Sequence, residues 1–225
     1  MKKEPAELKK NLIAACRILS GEQLVRGFGH VSARIPGTER FLLTSRVSLA
    51  LVQPKQLLTL NLRGEVVAGN AAAPFEAPLH AAIFRQRADV QAIARIHART
   101  ANYFSVTERK IEPVHNHGSF FSGGVPVFAK TPLISTRQLG DEVAAALGNN
   151  PAILLRGNGQ VTVGRTIAEA VMMAIYLEEA ADMLYGAWQI GTPIFLREQE
   201  SGLGKKETLP PVDLERAWNY YKNKG

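Results

Sequence analysis

The chain has 225 residues, of which 46% are apolar and 21% charged; this is ordinary for a globular protein with material for one large domain or two small ones. No window approaches the roughly 18 uninterrupted apolar residues of a membrane span, and a single cysteine, Cys16, excludes an internal disulfide and fits a reducing cytoplasm. The formal charge of +7 is spread along the chain with no basic run and no interleaved aromatics, which argues against nucleic acid and for an anionic small-molecule partner.

The opening MKKEPAELKK is followed by no apolar h-region, so a secretory leader is not expected. Residues 5–20 predict an amphipathic helix, with Leu8, Leu12, Ile13, Ala15, Cys16 and Leu19 at three- and four-residue steps. GHVSARI alternates as a strand, Pro36-Gly37 turns the chain, and FLLTS starts a second strand. LLTLNL, Arg63-Gly64 and EVVAG read as a hairpin. A helix is predicted over 76–87 with Pro78 tolerated in its first turn, a buried strand over 90–97, and a short helix to Ser105. GGVPVF is a short strand, 136–147 a helix, and AILL and QVTVG are strands flanking the turn RGNG. The longest helix is expected over 166–188, with Thr166 as N-cap and Glu169 completing a capping box. A polar stretch, 197–211, reads as a mobile loop before a terminal amphipathic helix carrying Trp218, Tyr220 and Tyr221. The alternation of strands and helices implies one α/β domain over 1–225.

Polar chemistry concentrates at one place. Glu76 and His80 stand four residues apart on a helix face, and His97 ends the apolar run VQAIARIH. A carboxylate and imidazoles at a strand end are the ingredients of a metal or acid–base site. Cys16 and the methionines of the long helix read as packing. No serine has a His–Asp partnership, and no Walker or dinucleotide glycine pattern is present.

The ordered segments GHVSAR, TSR, PFEAPLH, IARIHARTANYFS, HNHGSFFSGGVPVF, LLRGNGQVTVG and AVMMAIYLEEAADM resemble the class II aldolase/adducin family over roughly residues 8–195. The resemblance implies a three-layer α/β/α sandwich around a mainly antiparallel sheet, and a homotetramer with active sites between subunits. It also implies sugar-phosphate aldolase, epimerase or decarboxylase chemistry, mostly on a divalent metal held by three histidines. Glu76 falls on the family's catalytic glutamate and His97 on its second metal histidine. The first histidine's place holds Arg95 and the third's holds Asn158. Where sugar-phosphate members hold phosphate with small residues, this chain has Gly29-His30, Ser45-Arg46 and Pro74-Phe75. Arg46 is a fork suited to a planar carboxylate, so the pattern is that of the decarboxylase branch and a non-phosphorylated, carboxylate-bearing substrate. Gly29, His30, Ser45, Arg46, Arg95 and Asn158 are the expected substrate-binding residues; Glu76 and His97 are the expected catalytic pair.

Three readings stay open at this stage. The first is a decarboxylase or aldolase working through an enolate-like intermediate. It would use either a divalent cation (Fe, Mn or Zn) held by Glu76 and His97 with His115 and His117 as recruits, or Arg95 as a fixed cation in the metal's place. The second is a non-heme iron oxygenase built on Glu76, His97 and His117. The third is a non-catalytic, adducin-like binding protein.

Overall fold

The computed structural model describes residues 6–208 and 211–224. Its centre is an eight-stranded sheet in the order β4-β3-β2-β1-β5-β8-β7-β6. The strands are β1 (His30–Arg34), β2 (Arg40–Thr44), β3 (Leu57–Asn61), β4 (Val66–Ala68), β5 (Ala92–Ile96), β6 (Val127–Phe128), β7 (Ala152–Leu155) and β8 (Gln160–Gly164). Every neighbouring pair is antiparallel except β6–β7. Among the described residues seven α-helices surround it: α1 (Ala6–Gly21), α2 (Ala77–Gln86), α3 (Arg99–Phe104), α4 (Arg137–Leu147), α5 (Ile167–Ile190), α6 (Glu198–Thr208) and α7 (Pro211–Asn223).

Strand alternation divides the apolar side chains between two cores. Val31, Ala33, Ala94, Ile96 and Leu154 face α1 and α5. Phe41, Leu43, Ile93, Ile153, Val161 and Val163 face α2 and α4. This is the expected three-layer α/β/α sandwich, with the β5 strand sealed on both faces, all five residues being buried. Cys16 has no exposed surface, and burial pushes its thiol up to about 12, as a packing residue requires. No helix among the described residues is long and apolar enough to cross a membrane.

The long helix begins where expected: Thr166 Oγ1 accepts the Glu169 N–H at 3.0 Å. The reciprocal half of the box differs, because Glu169 reaches back to the backbone N–H of Arg165 rather than to that of Thr166. The stretch 197–211 departs more. Most of it is helix α6, and only 209–210, with residue 5 of the first expected helix, lie outside the described residues. Weak apolar periodicity and two internal glycines hid this helix from sequence. It forms because Ser201 is buried and Gly204 packs on the Asn116–Phe121 turn, where a Cβ would come within 2.5 Å of Ser119 Oγ.

Candidate functional site

The site forms where β1 runs beneath α2. On β1 the residues facing α2 are His30, Ser32 and Arg34; on α2 the residues facing β1 are Glu76, His80 and Phe84. Two strand residues advance about 6.6 Å and four helix residues about 6 Å, so the two rows stay in step. His30 meets Glu76 (Nε2 to Oε2, 3.3 Å) and His80 (Nδ1 to Nε2, 2.6 Å). Ser32 Oγ meets His80 Nδ1 at 2.6 Å, and the Arg34 guanidinium lies 4.9 Å from the Phe84 ring centroid.

Glu76 occupies the N-cap position of α2 without spending its carboxylate on a cap hydrogen bond, which leaves the side chain free to turn toward the sheet. Register then brings Arg95 to it. His30 and Arg95 are direct cross-strand partners, and Arg95 Nε lies 3.2 Å from Glu76 Oε2. Arg95 has no exposed surface, and its Nη1 donates to the Ile96 carbonyl at 2.8 Å. Room for the guanidinium comes from Gly159, at φ +77°, where a Cβ would collide with the Ile96 carbonyl and sit 2.7 Å from Arg95 Nη1. The RGNG turn is held from α3: Asn102 Oδ1 accepts from Gly159 N–H and Ser105 Oγ from Gly157 N–H.

The electrostatics follow from this packing. Burial alone would raise the Glu76 carboxyl; the His30 hydrogen bond, the Arg95 charge and His97 outweigh it and hold it at about 2. Burial lowers His30, and lowers His80 well below the ordinary imidazole range. Both are therefore neutral, and one set of tautomers satisfies the chain. Ser32 donates to His80, His80 Nε2–H donates to His30, and His30 Nε2–H donates to the ionised Glu76. Burial and the Arg95 charge lower His97 to about 4. Its Nε2 stands 3.4 Å from Asn158 Oδ1, and its buried Nδ1 has no partner; neither has Glu76 Oε1.

Above these groups opens a cavity of about 360 Å³ lined by Gly29, His30, Ser45, Arg46, Glu76 and His97, with Phe28, Phe75 and Leu133 at its mouth. Six of the residues expected from sequence thus share one cavity. Arg95 and Asn158 do not line it; they brace Glu76 and His97 from behind. Arg46 lies over the Phe75 ring at 4.3 Å. Gly29 adopts φ +142°, where a Cβ would press on Val25 Cγ1 at 2.6 Å and on the Arg95 carbonyl at 3.0 Å.

The expected metal set does not assemble within one chain. The family's metal position here offers His97 and a neutral amide beside a buried guanidinium. That donor set does not fit a divalent cation, because the positive charge already sits on Glu76. His115 and His117 line other cavities than the one holding Glu76 and His97. Among the described residues the group that could hold a divalent ion is His115, His117 and Glu179. His80, one helical turn from Glu76, reaches it only through His30. The His30–His80 contact, fifty residues apart in sequence, and the role of Ser32 left no signal short of the strand register.

The profile of the Class II Aldolase and Adducin N-terminal domain matches residues 10–185. The 3,4-dihydroxyphthalate decarboxylase of Arthrobacter keyseri is 31% identical over 195 residues, covering 79% of this chain and 77% of that protein. The 5-methylthioribulose-1-phosphate/5-deoxyribulose-1-phosphate aldolase of Rhodospirillum rubrum is 26% identical over 219 residues, covering 97% and 92%. Among solved structures, the L-fuculose 1-phosphate aldolase from Glaciozyma antarctica PI12 superposes with a TM-score of 0.85 at 25% identity, covering 100% of this chain and 91% of that one. An aldolase II superfamily protein from Pseudomonas syringae gives 0.86 at 22% identity, covering 100% and 94%.

Proposed function

Given that the chain belongs to the class II aldolase and adducin family and is a lyase of its decarboxylase-like branch, we propose that it cleaves a carbon–carbon bond in a small, non-phosphorylated, hydroxylated carboxylic acid. Decarboxylation is the favoured outcome. The observation that carries this reading is the pairing of an ionised, half-free Glu76 with Arg46 in one cavity. Glu76 and the carboxylate clamp Arg46 line the same cavity.

Arg46 grips the substrate carboxylate, and the exposed Phe75 offers its ring to a planar substrate. Glu76 Oε1 takes the proton of the substrate hydroxyl. The oxyanion so formed pushes its electron pair toward the carbon bearing the carboxylate, which takes the proton back from Glu76 to give a keto intermediate; the carbon–carbon bond then breaks, carbon dioxide leaves, and the electron pair returns to the oxygen as an enolate. With its amide turned so that NH₂ donates to His97 Nε2, Asn158 places the imidazole proton on Nδ1, where it hydrogen-bonds the developing oxyanion. Solvent then restores the hydroxyl proton, and Glu76 ends the cycle ionised. Arg95 keeps Glu76 ionised between turnovers and serves as the fixed cation of the site. The retro-aldol variant uses the same groups, with an aldehyde as the leaving fragment. No step of this scheme runs through a divalent metal. The oxygenase reading required Glu76, His97 and His117 around one ion, and the chain does not gather them.

The assembly proposed is a homotetramer, located in the cytoplasm, whose active sites lie between subunits. It is supported by exposed apolar side chains at the C-terminal end of α5 and beyond it, with Ile190 92% and Ile194 89% accessible.

The test is carbon dioxide release from 3,4-dihydroxyphthalate and related hydroxylated aromatic acids, with dihydroxyacetone phosphate-derived sugars as controls. Turnover of the acids but not the sugar phosphates is expected, and Glu76→Gln is expected to lower kcat by about 10²–10⁴. Undiminished turnover by Glu76→Gln, or turnover confined to sugar phosphates, would refute the proposal.

A further inference from the structure

A second cluster of ligating groups lies where the Asn116–Phe121 turn crosses α5. His115 is the N-cap of that turn and His117 lies within it. Glu179 projects from the middle of α5. One ligating atom of each lies within 4.8 Å of the others, all three side chains being half-buried. His117 Nδ1 meets Glu179 Oε2 at 2.7 Å, and its ring is stacked on Tyr176 at a centroid distance of 4.0 Å. His115 Nδ1 is buried and has no hydrogen-bond partner. The cluster opens onto a cavity of about 700 Å³ that also receives Asp182, one turn beyond Glu179.

We propose that His115, His117 and Glu179 form a divalent-cation site, separate within the chain from the Glu76 cavity, that takes Zn²⁺ or another borderline transition metal.

Three features support this. Two imidazoles and one carboxylate are the usual donors for Zn²⁺, with a fourth position left for water. His117 is held in place before any ion arrives, by the Tyr176 ring on its face and Glu179 at its edge, so little side-chain freedom is lost on binding. The orphaned His115 nitrogen gains a partner, which removes the penalty of a buried polar atom left unsatisfied. Ligands in a tetrahedral shell with bonds of roughly 2.0–2.1 Å stand about 3.3 Å apart. The 2.7 Å contact between His117 and Glu179 therefore opens by about half an ångström. As the ion takes Nδ1 of His117, the imidazole proton moves to Nε2, because the ligand is the neutral ring with its proton on the other nitrogen. Arg95, which repels a cation from the other cavity, touches none of these groups.

The full chain is stripped with chelator, dialysed, and titrated with Zn²⁺ by calorimetry and with Co²⁺ by visible absorption. The expected result is one equivalent per chain, with the Co²⁺ bands of a four- or five-coordinate nitrogen–oxygen site. His117→Ala and Glu179→Gln are each expected to weaken binding by more than about 100-fold, beyond what losing an outer hydrogen bond costs, while His97→Ala and Glu76→Gln leave it unchanged. If His117→Ala folds poorly, His115→Ala, which breaks no hydrogen bond seen in the structure, is the second variant and loses affinity in the same way. Absence of stoichiometric Zn²⁺ binding at micromolar concentration overturns the proposal. So does binding that survives both histidine variants, or binding that depends on His97 instead.

Discussion

At the scale of single residues, the site turns on one exchange of cation. Arg95 contributes a permanent charge beside Glu76 and within reach of His97. With the His30 hydrogen bond it holds the first ionised, and with burial it holds the second neutral. In Arg95→Met the His97 titration midpoint should therefore move up from about 4 toward the ordinary imidazole value, followed by the ring-proton chemical shifts of His97 against pH. Removing one partner of a buried pair should also cost about 3–5 kcal/mol of stability in a urea titration. The sign of the wild-type acid response follows from the same shifts. His97 is depressed from 6.5 to about 4, so the unfolded chain binds its proton first. The stability this group contributes is complete above pH 6.5 and is lost as pH falls toward 4. Glu76 is depressed from 4.5 to about 2, so its contribution is complete above pH 4.5 and is lost as pH falls toward 2. The urea midpoint should decline continuously from pH 7 to 3, and a midpoint flat across pH 6.5–4 would contradict the neutral His97.

At the scale of elements, boundaries were legible wherever a period and a punctuating residue coincided. The helix starting after Thr166 is one such case, because a hydroxyl, a glutamate three residues on and a long apolar run all agree. Thr166→Ala should cost about 1 kcal/mol and lower Tm by about 2–4 °C, measured by thermal denaturation with circular dichroism. The start of α3 was less legible. Ala98, its N-cap, has no side chain with which to cap, and the free N–H groups of Thr100 and Ala101 are taken by Glu178 from α5 at 2.7 and 2.8 Å. A cap delivered from 78 residues away leaves no local pattern. Helix α6 escaped for the related reason that its helicity depends on what Ser201 and Gly204 press against rather than on its own spacing.

For the whole molecule, the layer arrangement was readable because strand alternation and helix spacing report the solvent boundary, and a sandwich has such a boundary on every outer element. The site was readable only in part. Glu76, His97 and Arg46 announced themselves by residue type at matching positions, and the structure gathers them about one cavity with Gly29, His30 and Ser45. The relation of His30 to His80, and the separation of His115 and His117 from the Glu76 cavity, depend on register and on the crossing of distant segments, which one-dimensional spacing does not encode. Assembly is a property of this scale too. For the proposed tetramer, Ile190→Glu combined with Ile194→Glu should give smaller species in sedimentation velocity while leaving the far-ultraviolet spectrum of the chain intact. A tetramer unmoved by both charges would place the contact elsewhere.

The guanidinium sealed under the cavity floor has a practical corollary. A positive centre carried by a side chain of the protein cannot be dialysed away, scavenged by a competitor that starves the cell of zinc, or exchanged for cadmium. Its strength is also set once, at translation, with no choice of ion to retune it.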